Sequence, residues 1–185
     1  MAIVHNTTLV PSKLELLTVW LPRQSWYRGP ERPRLARAGG FRLDDPEGEV
    51  GIEVVVVTDA AGTEPVGYVV PMTYRAAALP ECADALVGTT EHGVLGTRFV
   101  YDAPADPVFR TQLRALVRGG VRAQAQHASD TPDPTVLVGA APEVADVDLV
   151  RVPVPSNAAP APGEVSIAWE LPDGSRTRGV IARAR

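Results

Sequence analysis

The first predicted helix covers about residues 12–21. Ser12 and Glu15 have the S-x-x-E spacing in which the two side chains satisfy each other's free backbone N–H groups at a helix start. Apolar residues then recur at helical spacing: Leu14, Leu17, Trp20 and Leu21. Pro22 is expected to end the helix, because proline lacks the N–H that the next helical bond needs.

The second predicted helix covers residues 107–126. Asp106 is a good N-cap, and Pro107 fits the first helical position. The apolar face is formed by Phe109, Leu113, Leu116, Val117 and Val121. The opposite flank carries a stripe of Arg110, Arg114, Arg118 and Arg122. Like charges four residues apart repel slightly, so we expect this arginine stripe to face acidic neighbours.

Alternating apolar and β-branched residues predict strands over 49–58 and 66–74, joined as a hairpin. Pro71 indicates that the second of them lies at a sheet edge or contains a bulge. A short helix is expected at 80–86 and a further strand at 94–101.

Seven prolines exclude a long helix between Ser129 and Gly163, where short strands are expected at 135–138 and 149–154. The chain then forms a hairpin from Glu164 to Ala182 around Pro172-Asp173-Gly174. These elements predict an α+β fold in one domain, residues 1–185, with a curved, mainly antiparallel sheet. We expect both helices to pack on one face of this sheet. The side chains predicted to be buried there are Leu17, Trp20, Phe109, Leu113 and Leu116.

Composition changes this picture little. The chain has 17 arginines against the single lysine Lys13, a bias typical of GC-rich codon usage. The single Cys82 excludes an internal disulfide and a cysteine-based zinc site. With no membrane-length apolar segment and no signal-peptide pattern, the expected location is cytoplasmic, away from membranes. Basic and acidic segments alternate, and the net charge of −4 disfavours a polyanion, so nucleic acid is not an expected partner.

Catalytic patterns are missing from the sequence. It contains no phosphate-binding loop, no G-x-S-x-G and no H-E-x-x-H. His5, His92 and His127 are scattered and expected at the surface, and Cys82 is expected to be a buried, inert thiol. Asp44 and Asp45 are expected to be solvated. We therefore predict no catalytic residue, no cofactor and no metal ligand, which favours a binding or scaffolding role.

Two aromatic-containing segments resemble a known family. The segment from Trp20 to Gly29, WLPRQSWYRG, resembles the W-L-P-x-x-R-W-[FY]-x-G segment near the start of bacterial maltokinases. The segment from Gly96 to Phe109 resembles their V-Y-D-A-x-x-D-P segment. The residues of the two motif segments that we expect to be structural or contact residues are Trp20, Pro22, Arg23, Trp26, Tyr27, Gly29, Tyr101, Asp102, Asp106 and Pro107. Departures occur at Ser25 and Arg28, and the likeness extends over about residues 10–125.

In maltokinases both segments belong to an N-terminal cap, and the transfer of phosphate from ATP to maltose takes place in a later lobe with an H-x-D motif. No H-x-D occurs here. The resemblance therefore implies a stand-alone cap-like domain of the actinobacterial type, not a kinase. In that family such caps occur near trehalose and α-glucan (maltose 1-phosphate) metabolism.

The expected function is a docking or regulatory module for an enzyme of that metabolism, with the arginine stripe as the possible partner surface. Two alternatives stay open. One is a sugar-binding domain in which Trp26 stacks on a sugar ring. The other is a partial sugar kinase that needs a second chain. A further interpretation of Trp20, Trp26 and Tyr27 is structural: they close one end of the sheet.

Overall fold

The computed structural model describes residues 8–185. Their main element is a strongly curled, six-stranded antiparallel sheet with strand order β1-β5-β6-β4-β3-β2. Its strands are β1 (Leu9–Val10), β2 (Leu35–Leu43), β3 (Gly51–Asp59), β4 (Val66–Arg75), β5 (Leu86–His92) and β6 (Gly96–Asp102). The predicted α+β class with a curved antiparallel sheet is confirmed.

The predicted β3–β4 hairpin is present, and β4 lies inside the sheet rather than at its edge. Pro71 is tolerated because the pairing of β4 with β6 begins only at Met72. Val69, whose N–H points to the same side as the Pro71 nitrogen, donates instead to the carbonyl of Arg151 at 2.8 Å. On this side of β4, Pro71 therefore lies between the residue that bonds to Arg151 and the residues that pair with β6. No backbone N–H is needed at its position.

Helix α1 (Lys13–Trp20) begins as predicted. The Ser12 hydroxyl accepts from the Glu15 N–H at 3.3 Å, and the Glu15 carboxylate accepts from the Ser12 N–H at 2.7 Å. A single 3-10 turn, Leu21–Arg23, follows, so Pro22 ends the α-helix without ending the helical direction of the chain.

Helix α2 (Pro107–Val117) begins at the predicted cap but is shorter than expected. Gly119 has a φ of +76°, a conformation that favours glycine, and its N–H donates to the Leu116 carbonyl at 3.0 Å. Gly119 therefore ends the helix. Arg122 consequently lies outside α2, and the predicted stripe of four arginines does not lie on one helix.

The two helices pack on opposite faces of the β3–β4 hairpin, which differs from the expected arrangement on one face. Phe109, Leu113 and Leu116 of α2 join a cluster that includes Val54 and Val56. Leu17 and Trp20 of α1 join a second cluster. That second cluster includes Val55, Val57, Tyr68 and Val70. Because successive strand residues point to opposite faces, a strand that reads as continuous valine is covered on both sides. The five side chains predicted to be buried are all buried.

The C-terminal part forms a second antiparallel sheet with strand order β7-β9-β10-β8. Its strands are β7 (Val136–Val138), β8 (Val147–Leu149), β9 (Glu164–Glu170) and β10 (Arg176–Ala184), which include the predicted terminal hairpin. Val165, Ile167 and Trp169 lie in the same hydrophobic cluster as Phe41 and Val54 of the first sheet. The two sheets therefore share one core.

Strands β1, β2 and β5 were not predicted, and the strand expected at 149–154 is instead the shorter β8. The short helix expected at 80–86 is a 3-10 helix over Pro80–Ala85, and a second 3-10 turn covers Ala103–Ala105. Within residues 8–185, no helix has both the length and the apolar character needed to cross a membrane.

Candidate functional site

The first motif segment folds into an aromatic cluster on one face of the curled sheet. Trp26 lies 5.9 Å from Trp20 and 6.2 Å from Tyr68 between ring centroids, and Tyr27 lies 5.1 Å from Tyr68. Tyr68 is fully buried, and its hydroxyl accepts from the Arg28 N–H at 3.2 Å. The rings are tilted against one another, the geometry that aromatic pairs prefer. The segment is therefore packed onto the sheet by its own aromatic residues.

Gly29 is required by a hydrogen bond beside it. The Tyr27 hydroxyl donates to the Asp59 carboxylate at 2.6 Å, and Asp59 also accepts from the Arg34 N–H at 2.8 Å. A Cβ atom at Gly29 would overlap both the Tyr27 hydroxyl and the Asp59 carboxylate. Burial and the neighbouring Asp59 carboxylate raise the pKa of Tyr27, so this hydroxyl stays protonated as a donor.

Arg151 joins the first motif to the second. Its guanidinium stacks on the Trp26 ring at 4.7 Å from the centroid and pairs with the Asp102 carboxylate at 2.5 Å. Its carbonyl accepts from the Val69 N–H of β4. Trp26, Asp102 and Arg151 are called the Arg151 junction below. Sequence reasoning missed Arg151, because a single arginine in a proline-rich segment gives no local signal of its contacts.

The Arg151 junction is an incompletely satisfied ion pair. The exposed fractions of the two charged side chains are 15% for Arg151 and 17% for Asp102. Asp102 Oδ1 and Arg151 Nη1 are buried and have no hydrogen-bond partner among the described residues. Burial raises the pKa of Asp102 even though the Arg151 charge opposes the shift. The pair is thus sensitive to the loss of either charge.

The second motif also fixes the start of α2. Asp106, fully buried, accepts from Arg75 Nε at 2.7 Å and Arg75 Nη2 at 2.8 Å, and it caps the helix through the Val108 N–H at 3.0 Å. Burial alone would raise the pKa of Asp106, but these hydrogen bonds and the Arg75 charge outweigh it and hold the pKa below its usual range. Tyr101 accepts from the Leu79 N–H at 2.7 Å.

The remaining motif residues have simpler positions. Pro22 and Arg23 lie in the turn after α1, where Arg23 is exposed, and Pro107 opens α2 at the surface. The structure thus brings Trp20, Trp26 and Tyr27 together, connects Trp26 to Asp102 through Arg151, and leaves Arg23 and Pro107 outside the cluster.

The arginine stripe is largely bound to nearby backbone. Arg110 donates to the carbonyls of Pro104 and Ala105, and Arg118 donates to the carbonyl of Val144. Among residues 8–185, Arg114 is the one member of the stripe that pairs with an acidic side chain, that of Asp146 at 3.9 Å. Arg122 is exposed. The acidic partners expected for the stripe are therefore replaced mostly by carbonyl oxygens.

A second polar cluster, centred on Glu53, was not anticipated and contains the single lysine, Lys13. Glu53, 7% exposed at its side chain, pairs with Lys13 at 2.5 Å and accepts from Tyr74 at 3.1 Å and from Gln126 Nε2 at 2.6 Å. Gln126 in turn accepts from Arg37. Burial, followed by the Glu53 charge, raises the pKa of Tyr74 well above its usual value. This Glu53 cluster ties α1, the first sheet and the segment after α2 together.

The other sequence candidates have no catalytic arrangement. Cys82 is buried as predicted, and burial raises the pKa of its thiol. His127 is exposed, His92 is half-buried and accepts from the Val94 and Leu95 N–H groups, and His5 lies outside the described residues. Over residues 8–185, no group of three or more histidine, cysteine or acidic side chains is arranged to hold a metal ion.

Asp45 differs from its expected solvated state. It is 4% exposed and accepts from the N–H groups of Glu47, Glu49 and Val50 at 2.9–3.1 Å. The Asp45 carboxylate therefore stabilises the turn before β3 instead of being solvated.

Comparison with known proteins agrees with these motif positions. The family model described as the maltokinase N-terminal cap domain matches residues 20–106, which begins at Trp20 and ends at Asp106. The comparison with curated proteins gives no match. The matched stretch contains the aromatic cluster, the β3–β4 hairpin and Asp102, whereas Arg151 lies beyond it. The resemblance to the maltokinase cap is thus confirmed by a family-model match over residues 20–106, somewhat less than half of the chain.

Proposed function

We propose that this chain is a non-catalytic cap-type module that docks onto, and regulates, an enzyme of trehalose or α-glucan metabolism. The proposal is supported by the family match, because the matched family is the N-terminal cap domain of maltokinases. That match suggests an association with maltose-related carbohydrate metabolism.

The observation that carries the non-catalytic part is the use of the motif side chains. Tyr27 is bound to Asp59, Asp102 to Arg151, and Asp106 to Arg75 and the helix start. A catalytic carboxylate or base must reach a substrate atom. These groups are instead bound by other parts of the protein, and the one oxygen without a partner within residues 8–185, Asp102 Oδ1, is buried. This arrangement supports a structural role for both motifs.

The contact surface that we favour lies where β1 meets the β5–β6 hairpin. Val10 and Val94 are 66% and 62% exposed, and Leu95 is 44% exposed. Val10 pairs with Glu91 of β5, close in sequence to the turn that carries Val94 and Leu95. Clustered exposed aliphatic residues are typical of interaction sites. The arginine stripe is the second candidate surface, since Arg110 and Arg122 are exposed.

The test is complex formation between the purified chain and purified trehalose- and α-glucan-pathway enzymes, including a maltokinase, from the same organism. Light scattering after size exclusion measures the mass of each mixture. We expect a complex with one of these enzymes that the Val94→Ser/Leu95→Ser variant weakens at least tenfold. The matched control, Arg110→Gln/Arg122→Gln, is expected to retain binding. If the control variant fails and the hairpin variant binds, the surface is the arginine stripe. No complex with any of these enzymes would overturn the docking proposal.

The partial-kinase alternative is tested by ATP turnover in the presence of maltose. We expect no turnover by the chain alone and none above the enzyme's own rate when a maltokinase is added. Maltose-dependent ATP hydrolysis by the purified chain would contradict the non-catalytic assignment.

A further inference from the structure

The segment between α1 and β2, residues 22–34, carries exposed cations that the fold does not use. The side chains of Arg23, Arg28 and Arg32 are exposed and make no hydrogen bond or ion pair with the rest of residues 8–185. The fourth arginine of the segment, Arg34, donates to the Ala60 carbonyl. Four arginines and one glutamate give the segment a net charge of +3. This segment is called the basic loop below.

The three free guanidinium groups of the basic loop lie within the area of one interface. Arg23 and Arg28 are five residues apart, and Arg28 and Arg32 are four residues apart. Even an extended chain would separate their Cα atoms by at most about 18 and 14 Å, and backbone hydrogen bonds of 2.9 and 3.1 Å form two consecutive turns over residues 21–27. A standard protein interface covers about 800 Å² on each partner, which is a circle about 32 Å across. One partner can therefore contact all three groups.

The backbone of the basic loop is fixed to the first sheet. The Arg28 N–H donates to the hydroxyl of the buried Tyr68 at 3.2 Å, and the Arg34 N–H donates to the Asp59 carboxylate at 2.8 Å. Tyr27 is bound to the same carboxylate. The loop therefore presents its free side chains from a backbone that is already ordered, which reduces the entropy cost of binding.

The half-buried Trp26 lies in the middle of the basic loop. Its ring is stacked with the guanidinium of Arg151, whose buried Nη1 has no hydrogen-bond partner among residues 8–185. Tryptophan, tyrosine and arginine are the residue types that protein interfaces and their energetic hot spots favour. A guanidinium is also more weakly hydrated than an ammonium group, so it is more easily desolvated in a contact. The composition of the loop thus fits a protein interface.

Acidic residues in and beside the basic loop restrict the anion that can bind there. Glu31 lies within the loop, and the exposed Glu64 lies in the β3–β4 turn, to which Arg34 is bound through Ala60. The whole chain carries a net charge of −4. A nucleic acid extends over several Debye lengths of about 8 Å, so it would also meet these negative charges. A folded protein can instead place single carboxylates opposite the arginines, each of which can bind a carboxylate through two parallel hydrogen bonds.

We propose that the basic loop is a contact surface for a protein partner that presents clustered aspartate and glutamate side chains. The partner's carboxylates pair with Arg23, Arg28 and Arg32, and its apolar side chains pack on the exposed part of Trp26. The loop is bound at the end of β3, whereas the exposed aliphatic residues at β1 lie at the opposite edge of the first sheet. The basic loop is therefore a second surface, and it does not depend on the partner being an enzyme of carbohydrate metabolism.

Amide NMR spectra of the complete chain at low salt test this surface, with a short peptide rich in aspartate and glutamate as the probe. We expect saturable shift changes that cluster at the amides of the basic loop and at the Trp26 indole N–H. The Arg28→Gln/Arg32→Gln variant should weaken the peptide affinity about fivefold, because two exposed ion pairs are lost. The matched control Arg122→Gln/Arg176→Gln removes two exposed arginines that also have no partner within residues 8–185, and it should leave the affinity unchanged.

Other anions and the aliphatic surface complete the test. Duplex DNA and inorganic phosphate are titrated separately, and the amide spectra show that each variant keeps the fold. The Val94→Ser/Leu95→Ser variant should bind the peptide like the parent, so this proposal and the docking proposal can fail independently. The inference is overturned if the peptide shifts no amide of the basic loop or if the two arginine variants weaken binding equally. It is also overturned if DNA or phosphate produces the same shifts at a lower concentration than the peptide.

Discussion

Two groups of cations in this chain have opposite surroundings. Lys13, Arg75 and Arg151 pair with carboxylates whose side chains are 7%, 0% and 17% exposed, respectively. Arg185, in contrast, is 66% exposed and pairs with Asp148, which is 55% exposed. The first group connects separate elements of the fold, whereas the second lies on the surface of the C-terminal sheet.

The difference teaches which charged residues the fold depends on. Removing one member of a buried pair leaves the other charge desolvated and unpaired, which costs about 3–5 kcal/mol. An exposed pair contributes about 0–1 kcal/mol because water and salt screen it. The number of arginines in the sequence therefore does not indicate how much they contribute to stability. Burial of the partner carboxylate is what distinguishes the two groups.

The largest effect is expected for Arg151→Met. This change keeps the aliphatic bulk against Trp26 but leaves the Asp102 carboxylate buried without a cation. We expect a loss of about 3 kcal/mol in the free energy of unfolding, measured by urea denaturation. The matched control Arg185→Met should lose less than about 1 kcal/mol. Equal losses in the two variants would remove the distinction between the groups.

Lys13→Met is expected to have an intermediate effect. Glu53 loses its cation but keeps hydrogen bonds from Tyr74 and Gln126, and Lys13 is itself 31% exposed. We expect a loss of about 1–2 kcal/mol in the same urea measurement, after allowance for screening. Lys13→Arg keeps the charge and should recover most of it. If the Lys13→Met protein were as stable as the parent, the hydrogen bonds from Tyr74 and Gln126 would be sufficient to stabilise the buried Glu53 carboxylate.

The smallest effect on stability is expected for substitutions in the arginine stripe. Arg110 and Arg114 lie on the outer flank of α2, and the double change to Gln keeps side-chain length while removing both charges. We expect a change of less than about 0.5 kcal/mol in the free energy of unfolding. A loss above about 2 kcal/mol would place these residues with the buried cations.

Two aspartates of the second motif, Asp102 and Asp106, are expected to make the stability of the fold depend on pH in opposite ways. The pKa of Asp102 is raised by burial, and that of Asp106 is lowered by its hydrogen bonds and Arg75. For Asp106, the stabilisation is present above the unfolded pKa and is lost as the pH falls through the folded pKa. For Asp102, the folded state holds its proton more tightly, so stability decreases as the pH rises from the unfolded to the folded pKa. Carboxyl-carbon NMR should show Asp106 ionising at a lower pH than Asp102, and the reverse order would contradict these environments.

The sequence predicts those elements whose signals are local. The Ser12/Glu15 capping box, the valine-rich hairpin and the Asp106 cap all depend on neighbouring residues, and all are present. Strand β2 has no such signal, because LARAGGFRL is poor in β-branched residues and becomes a strand through its pairing with β3. The length of α2 was overestimated because Gly119 ends the helix at a positive φ.

The candidate site was predictable only in part. The motif resemblance identified Trp26 and Asp102, but their connection runs through Arg151, which is far from both in sequence. Asp45 and Glu53 were equally hidden, since burial of a carboxylate depends on tertiary partners and not on adjacent residues.

Arg151 connects the two cap motifs to the C-terminal part of the chain. A double-mutant cycle with Asp102→Asn and Arg151→Met, measured by urea denaturation of the four proteins, tests this connection most directly. We predict that the double variant loses less free energy of unfolding than the two single variants lose together. The difference, which is the coupling free energy of the pair, is expected to be about 2 kcal/mol. A coupling near zero would contradict the account, because it would mean that Asp102 and Arg151 contribute independently.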